Sequence, residues 1–373
     1  MIAMEKYVHQ PMITYIGNKR KLVDVIEKIV KRLQPKTCVD AFSGSGVVSR
    51  TLLTSCDTLY VNDLERYCEV LSRCFLKTPT GAEKIEIEEH LKNMNTCTPV
   101  TGFFSELYAP KDSSDIQDGE RCFFTKENAN RIDGMLAYIH EVVPSHLKSY
   151  CLGPLIVKVS IHTNTSGVFK GFHKGGWGGK GGHALERIMK KIEVECPTWL
   201  SESKEVIVHR EDACDFLQTL PQVDLIYLDP PYNQHPYGSN YFMLNLVCTN
   251  ERPVNISRVS GIPTDWNKSP YNYKRTIREA MERTIRLSTE KARYTMISYS
   301  NEGFITPTEW EELLEPYEYE KNEIEYNTYR GSRNLKNRAN KVTEFLFVIS
   351  QPKSLKKDLC LQNKNDSHQA SSR

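Results

Sequence analysis

The chain has 373 residues, of which 39% are hydrophobic and 26% charged, with a formal net charge of +2. That length suits a catalytic unit plus an accessory unit around well-buried cores. No apolar run approaches the ~18 residues of a membrane span, so no membrane insertion is expected. The near-neutral charge does not announce nucleic acid, and any such surface must come from local clustering. Eleven cysteines, without CxxC pairs or Cys/His ligand spacing, support neither a disulfide framework nor a zinc site. No metal is therefore expected. The N-terminal MIAMEKYVHQPMITYIG lacks the apolar core of a secretory signal, which predicts a cytoplasmic protein.

From Lys21 to Leu33, apolar Leu22, Val25, Ile26, Ile29, Val30 and Leu33 recur at helical spacing, which predicts an amphipathic helix stopped by Pro35. CVDAFSGSG then reads as a short strand entering a glycine turn, VVSRTLLTS as a helix covering it, and TLYVNDLE as a second strand ending in acids. This is the opening β-turn-α-β of a doubly wound α/β sheet. From about Ser72 to Trp199 the rhythm breaks, with aromatic clusters (Phe103, Phe104, Tyr108, Phe123, Phe124) and a glycine-rich stretch. That segment reads as an insertion. Sheet signals return at EVIVHREDACDFL, VDLIYLDPPY, RYTMISYS and VTEFLFVIS. The expected division is a split catalytic domain over 1–75 and 200–352, an inserted domain over 76–199, and a disordered polar tail over 353–373.

Asp40, Phe42, Gly44 and Gly46 sit where the first strand hands over to a helix, where glycine lets the backbone turn tightly and approach a ligand. Asp63 falls near the end of the second strand, where a carboxylate can accept from two ribose hydroxyls; a helix cap is the other reading. The sharpest signal is Asp229, Pro230, Pro231 and Tyr232 after the apolar LIYL. Proline cannot continue a central strand, so the chain leaves the sheet at its carboxyl edge, where open α/β sheets bind ligands. That puts Asp229 and Tyr232 in the crevice.

The segments TYIGNKRKL, DAFSGSG, VND, DACDFL and DPPY, in that order, resemble the Dam-like alpha group of DNA adenine-N6 methyltransferases of the restriction-modification type. The resemblance covers roughly residues 13–76 and 205–350, and only loosely the middle. It implies a Rossmann-like S-adenosylmethionine-dependent methyltransferase sheet with an inserted target-recognition domain. By the same resemblance S-adenosyl-L-methionine is the cofactor: the glycine turn (Asp40, Phe42, Gly44, Gly46) holds its methionine part, Asp63 its ribose and Asp212 its adenine. Tyr15 and Lys19 contact cofactor or target, and Asp229, also beside the cofactor, acts with Pro230 and Tyr232 on the amine to be methylated. Ser43 before Gly44 and Ser45 between Gly44 and Gly46 are a variant of the family pattern. Without the family, Lys19 reads as a solvated lysine at a helix entry.

These residue types suit the chemistry. An exocyclic amine on a base is a poor nucleophile because its lone pair is delocalised into the ring. If Asp229 and the carbonyl of Pro230 each accept one N–H, the nitrogen is drawn toward tetrahedral geometry, and transfer becomes a matter of positioning and electrostatics. Tyr232 offers a face on which a base removed from the duplex can stack.

For the double-stranded DNA partner, two basic clusters stand out. Lys170, Lys174 and Lys180 lie in the glycine-rich stretch with Phe169, Phe172 and Trp177, and Arg330, Arg333, Lys336 and Arg338 lie in TYRGSRNLKNRANK. Solvated loops are the plainer reading of both. Asn240 and Tyr241, and at a later strand end Ser300 and Asn301, are candidates near the target pocket. The resemblance further implies functional pairing with a restriction endonuclease, although an orphan regulatory methylase would carry the same features; a monomer is expected because it suits an asymmetric enzyme. RNA or cytosine N4 as the target, and a catalytically dead DNA-binding module, are the alternatives; the N-terminal segment and the large insertion favour DNA.

Overall fold

The computed structural model describes residues 2–10, 12–174, 176–179, 181–182, 184–327 and 341–352. Their framework is one seven-stranded sheet: β1 Thr37–Asp40, β2 Thr58–Asn62, β3 Glu205–His209, β4 Val223–Leu228, β5 Ala292–Ser300, β6 Tyr317–Asn327 and β7 Lys341–Pro352. Its order is β3-β2-β1-β4-β5-β7-β6. The first five strands are mutually parallel, and β7 enters antiparallel between β5 and β6.

The central strands form where the sequence buries both faces. β4 reads VDLIYL because one side packs on Phe216, Ile285 and Trp310 and the other on Ile26, Leu52 and Leu59. The helix predicted from Lys21 is realised as a short 3₁₀ turn over Arg20–Leu22 and an α-helix over Val23–Leu33, which ends at Gln34 in the left-handed region.

The segment between β2 and β3 is helical. After Arg66–Leu76, whose burial belongs to the sheet, come Gly81–Thr96, Phe103–Leu107, Lys126–Glu141, Lys148–Ile161 and Leu185–Met189. Thr80 and Glu83 cap the first of these reciprocally, a start signal legible in TGAE. The buried aromatics of this segment, Phe104, Tyr108, Phe123 and Phe124, share one core with Tyr67 and Leu71 of the preceding helix and with Phe242–Val247 after the DPPY turn. The inserted residues are thus packed against the edge of the site.

β6 is a strand that the hydrophobic pattern does not predict. YEYEKNEIEYN alternates charged with aromatic or aliphatic residues, as an edge strand with one paired neighbour can.

Candidate active site

The sheet order reverses between β1 and β4, so their carboxyl ends open a crevice. Asp40 ends β1 and Asp229 follows β4 directly. Between β1 and its helix, Ser43 N–H donates to the Asn62 carbonyl at 3.0 Å and Gly46 N–H to the Ser43 carbonyl at 2.8 Å, closing a tight turn. Gly44 (φ 51°) and Gly46 (φ 76°) take conformations that side chains resist. A Cβ on Gly44 would sit 2.9 Å from the Tyr15 ring, whereas one on Gly46 would meet nothing within 4 Å. Gly44 is therefore the floor under Tyr15, and Gly46 leaves space open. The resulting pocket, about 850 Å³, is lined by Tyr15, Lys19, Asp40, Phe42, Gly44, Asp63, Asp212 and Asp229 among others.

Its electrostatics are acidic. Burial raises Asp40 to about 7, although the Ser49 hydroxyl donates to its Oδ2 at 2.6 Å and opposes the shift. Burial likewise raises Glu65 to about 7 against the amides of Asn245, at 2.5 Å, and Asn267. Asp63 is also raised by burial, while backbone N–H groups of Glu65 (2.9 Å) and Gly44 (2.8 Å) donate to its two oxygens. Asp40 Oδ1 and Ser43 Oγ are buried in the pocket wall without a partner. A cavity of carboxylates with unsatisfied acceptors calls for a cationic, hydrogen-bonding ligand.

Lys19 is buried, 5% exposed, and its Nζ reaches Asp229 Oδ1 at 2.9 Å and Glu344 Oε1 at 2.8 Å. Burial alone would lower this amine, but the two carboxylates outweigh it and hold it well above its ordinary range. Asp229 is raised by burial to about 7, with Lys19 pulling the other way. The solvated-lysine reading of Lys19 thus gives way to a buried one. Tyr232 lies with its ring centre 5.8 Å from Lys19 Nζ, edge-on to Tyr299, and its carbonyl accepts the N–H of Phe304 at 3.0 Å. Pro230 is buried and Pro231 lines the pocket.

The N-terminal segment closes one wall. Tyr15 packs nearly parallel to Tyr237 (5.0 Å) and Tyr241 (4.9 Å). Ile16 N–H donates to the Tyr241 hydroxyl at 2.7 Å, and the Tyr237 hydroxyl donates to the Ile16 carbonyl at 3.2 Å. Asn267, Ser269, Tyr271 and Asn272 also line the pocket, and none of them carries a motif in the sequence. Glu65 and Tyr237 line the pocket and Glu344 reaches Lys19, positions that sequence patterns do not single out. An acid inside the otherwise apolar VTEFLFVIS is the available signal for Glu344, since a buried carboxylate must have partners.

Asp212 borders the pocket as the cap of helix Ala213–Thr219, accepting from Cys214 N–H at 2.8 Å. Lys170 and Lys174 are exposed on the glycine-rich stretch. Buried Asn164 ties that stretch down, giving its amide to the carbonyls of Cys122 and His173 and accepting from Gly178 N–H at 3.0 Å. Phe169 N–H joins it to the Asn240 carbonyl at 2.7 Å, just beyond the DPPY turn. Asn240 and Tyr241 are buried there. Ser300 is buried at the end of β5, and Asn301 is bound through its N–H and side chain to Thr343. Lys180, Arg330, Arg333, Lys336 and Arg338 lie outside the described residues.

Comparison with known proteins agrees with this geometry. A family model described as D12 class N6 adenine-specific DNA methyltransferase matches residues 15–312. Type II methyltransferase M.CviAII of Paramecium bursaria Chlorella virus 1 is 30% identical, over 90% of this chain and 98% of its own length. Type II methyltransferase M.NlaIII of Neisseria lactamica is 25% identical, over 90% of this chain and 99% of its own. Type II methyltransferase M.FokI of Planomicrobium okeanokoites is 27% identical over 94% of this chain but only 53% of its own, so the chain spans about half of that relative. With DPPY at the carboxyl edge of β4, a glycine turn after β1 and a match over most of its length, the chain belongs to the D12 class of N6 adenine-specific DNA methyltransferases.

Proposed function

We propose that the pocket binds S-adenosyl-L-methionine and that Asp229 and Pro230 present to it the N6 amine of an adenine flipped out of double-stranded DNA. The observation that carries this reading is the position of Asp229: at the switch point, beside an acid-lined cavity, with Lys19 on one oxygen. The cofactor supplies a methyl group on a positively charged sulfur.

The chain's own residues fit that group. Asp40 Oδ1 and Ser43 Oγ lack partners, the space beyond Gly46 is open, and the surrounding carboxylates favour a cation. Asp63 and Asp212, which line the pocket, would take the ribose and adenine, and Tyr15 and Phe42 would border them. Among the described residues no hydrogen bond reaches Asp229 Oδ2, which leaves an acceptor for one N–H of the substrate amine; the Pro230 carbonyl would take the other. Two acceptors orient the nitrogen lone pair without a strong base, so the residues act by positioning. Tyr232 would stack on the extruded base.

The inserted segment 76–199 would read the target, its exposed Lys170 and Lys174 meeting phosphates, with Lys180 and the arginines and lysine of 330–338 contributing to the same contact. A functional pairing with a restriction endonuclease, and action as a cytoplasmic monomer, belong to the same reading; the relatives' names as type II methyltransferases support the pairing. The test is transfer of labelled methyl from S-adenosylmethionine to plasmid DNA, RNA and protein offered together. Label confined to DNA supports the proposal; label on RNA or protein alone refutes the substrate assignment.

A further inference from the structure

Glu344 sits near the start of β7, 0% exposed, on a strand flanked on both sides. Directly across, its register partners are Ser300 on β5 and Ile324 on β6. Two residues along on the same faces lie Ser298 and Tyr326, the diagonal neighbours a long side chain can reach. Both are used: the Ser298 hydroxyl donates to Glu344 Oε1 at 2.7 Å, and the Tyr326 hydroxyl donates to Oε2 at 3.1 Å. Lys19 Nζ completes the set on Oε1.

Burying a carboxylate costs free energy unless it is paired and hydrogen-bonded, and here both oxygens have a donor. Yet neutralising Lys19 does not require Glu344, because Asp229 already supplies one negative charge. Above about pH 7, where Asp229 is ionised, two carboxylates on one ammonium leave the group with an excess negative charge beside the pocket. A lysine held only by Asp229 would move with it, since its four-carbon stem is flexible. Pinned to β7 as well, the ammonium becomes a fixed point from which Asp229 Oδ1 is held, while among the described residues Oδ2 receives no hydrogen bond.

Resting on the methyl-transfer reading above, we propose that Glu344 is a positioning residue for the reaction: it anchors Lys19 to the sheet so that Asp229 presents a fixed acceptor to the substrate amine. Ser298 and Tyr326 hold Glu344 in that orientation. The groups that face Asp229 are Lys19 from the N-terminal segment, Asp40 and Tyr227 from β1 and β4, Asp63 after β2, Tyr232 and Tyr237 after β4, and Glu344 from β7.

The experiment compares Glu344→Ala, Glu344→Gln and Asp229→Ala with the wild type in steady-state methylation of duplex DNA across pH, with calorimetric titration of S-adenosylhomocysteine and thermal melting. Glu344→Ala is expected to lower kcat about tenfold or more, with KM for DNA and affinity for S-adenosylhomocysteine within about twofold. Glu344→Gln keeps an oxygen for the ammonium and should recover most of kcat. Because it removes a negative charge beside Asp229, it should also move the acid limb of the rate profile to lower pH. A folded Glu344→Gln whose profile superimposes on the wild type overturns the proposal, whether or not Glu344→Ala folds. Full activity in Asp229→Ala would instead overturn the parent reading, and this inference with it.

Discussion

Ile16 and Tyr241 stand 225 residues apart and are joined by one hydrogen bond of 2.7 Å, from the backbone N–H of Ile16 to the tyrosine hydroxyl. It fixes the N-terminal segment, and with it Tyr15, against the chain that follows the DPPY turn. Tyr241→Phe leaves that N–H without its acceptor while keeping the ring stack. The expected cost is about 1 kcal/mol of stability, with cofactor binding several-fold weaker because Tyr15 loses its tether. Urea unfolding and calorimetric titration of S-adenosylhomocysteine check the two effects separately; unchanged binding would remove the tether's role.

The two glycines of the turn after β1 should respond differently to alanine. Gly44→Ala adds a methyl 2.9 Å from the Tyr15 ring at a positive φ, so the tyrosine wall must shift. Gly46→Ala bears only the cost of the left-handed conformation, about 1–2 kcal/mol. Gly44→Ala should therefore be the less stable variant and bind S-adenosylhomocysteine worse, and a reversed order would contradict this packing.

Asp40 gives a pH signature. Its carboxyl is raised by burial to about 7, so the folded state holds the proton more tightly than the unfolded chain does. Its contribution to stability is fully present below the unfolded value near 4 and lost as pH rises through 7. Asp40→Asn removes that dependence. The ligand-free variant should gain on the wild type between about pH 4 and 7, by up to a few kcal/mol, and by a constant amount above. In the wild type, ligand affinity should rise through the same window, since a cation requires the ionised carboxylate. Denaturant unfolding at pH 5 and pH 8.5 provides the readout; equal differences at both would refute it.

Asn164 and the lysines it presents separate folding of the glycine-rich stretch from DNA contact. Asn164→Ala leaves the N–H of Gly178 and the carbonyls of Cys122 and His173 without their partner, at a cost of about 1–3 kcal/mol. The double variant Lys170→Ala, Lys174→Ala should keep its stability and its affinity for S-adenosylhomocysteine. It should lower the salt dependence of duplex DNA binding by about one in log–log slope per lost phosphate contact. An unchanged slope would take the glycine-rich stretch out of the DNA surface.

Much of the sheet is legible in the amino-acid sequence because its central strands are buried on both faces and so are nearly continuous apolar runs, as in VDLIYL. The DPPY turn is legible because two prolines must leave a sheet. β6 is not, because an edge strand whose outward residues are charged looks like a loop. The partners of Lys19 are not legible either. Whether an amine near the N-terminus is solvated or buried depends on β7 running antiparallel beside β5, a pairing that local sequence does not encode. Asn267 reaches the pocket from a loop and Tyr271 from the 3₁₀ turn Pro270–Asn272, too short to leave a periodic signal. Local backbone chemistry is written in neighbouring residues, whereas long-range register is not.

Nucleoside analysis of unmethylated plasmid DNA, after incubation with S-adenosylmethionine and either the wild type or Asp229→Asn, tests the role of Asp229 most directly. The expected result is N6-methyladenine with the wild type and a loss of about 10²-fold or more in the variant at equal binding of S-adenosylhomocysteine. Wild-type product that is N4-methylcytosine, or undiminished N6-methyladenine from Asp229→Asn, would contradict it.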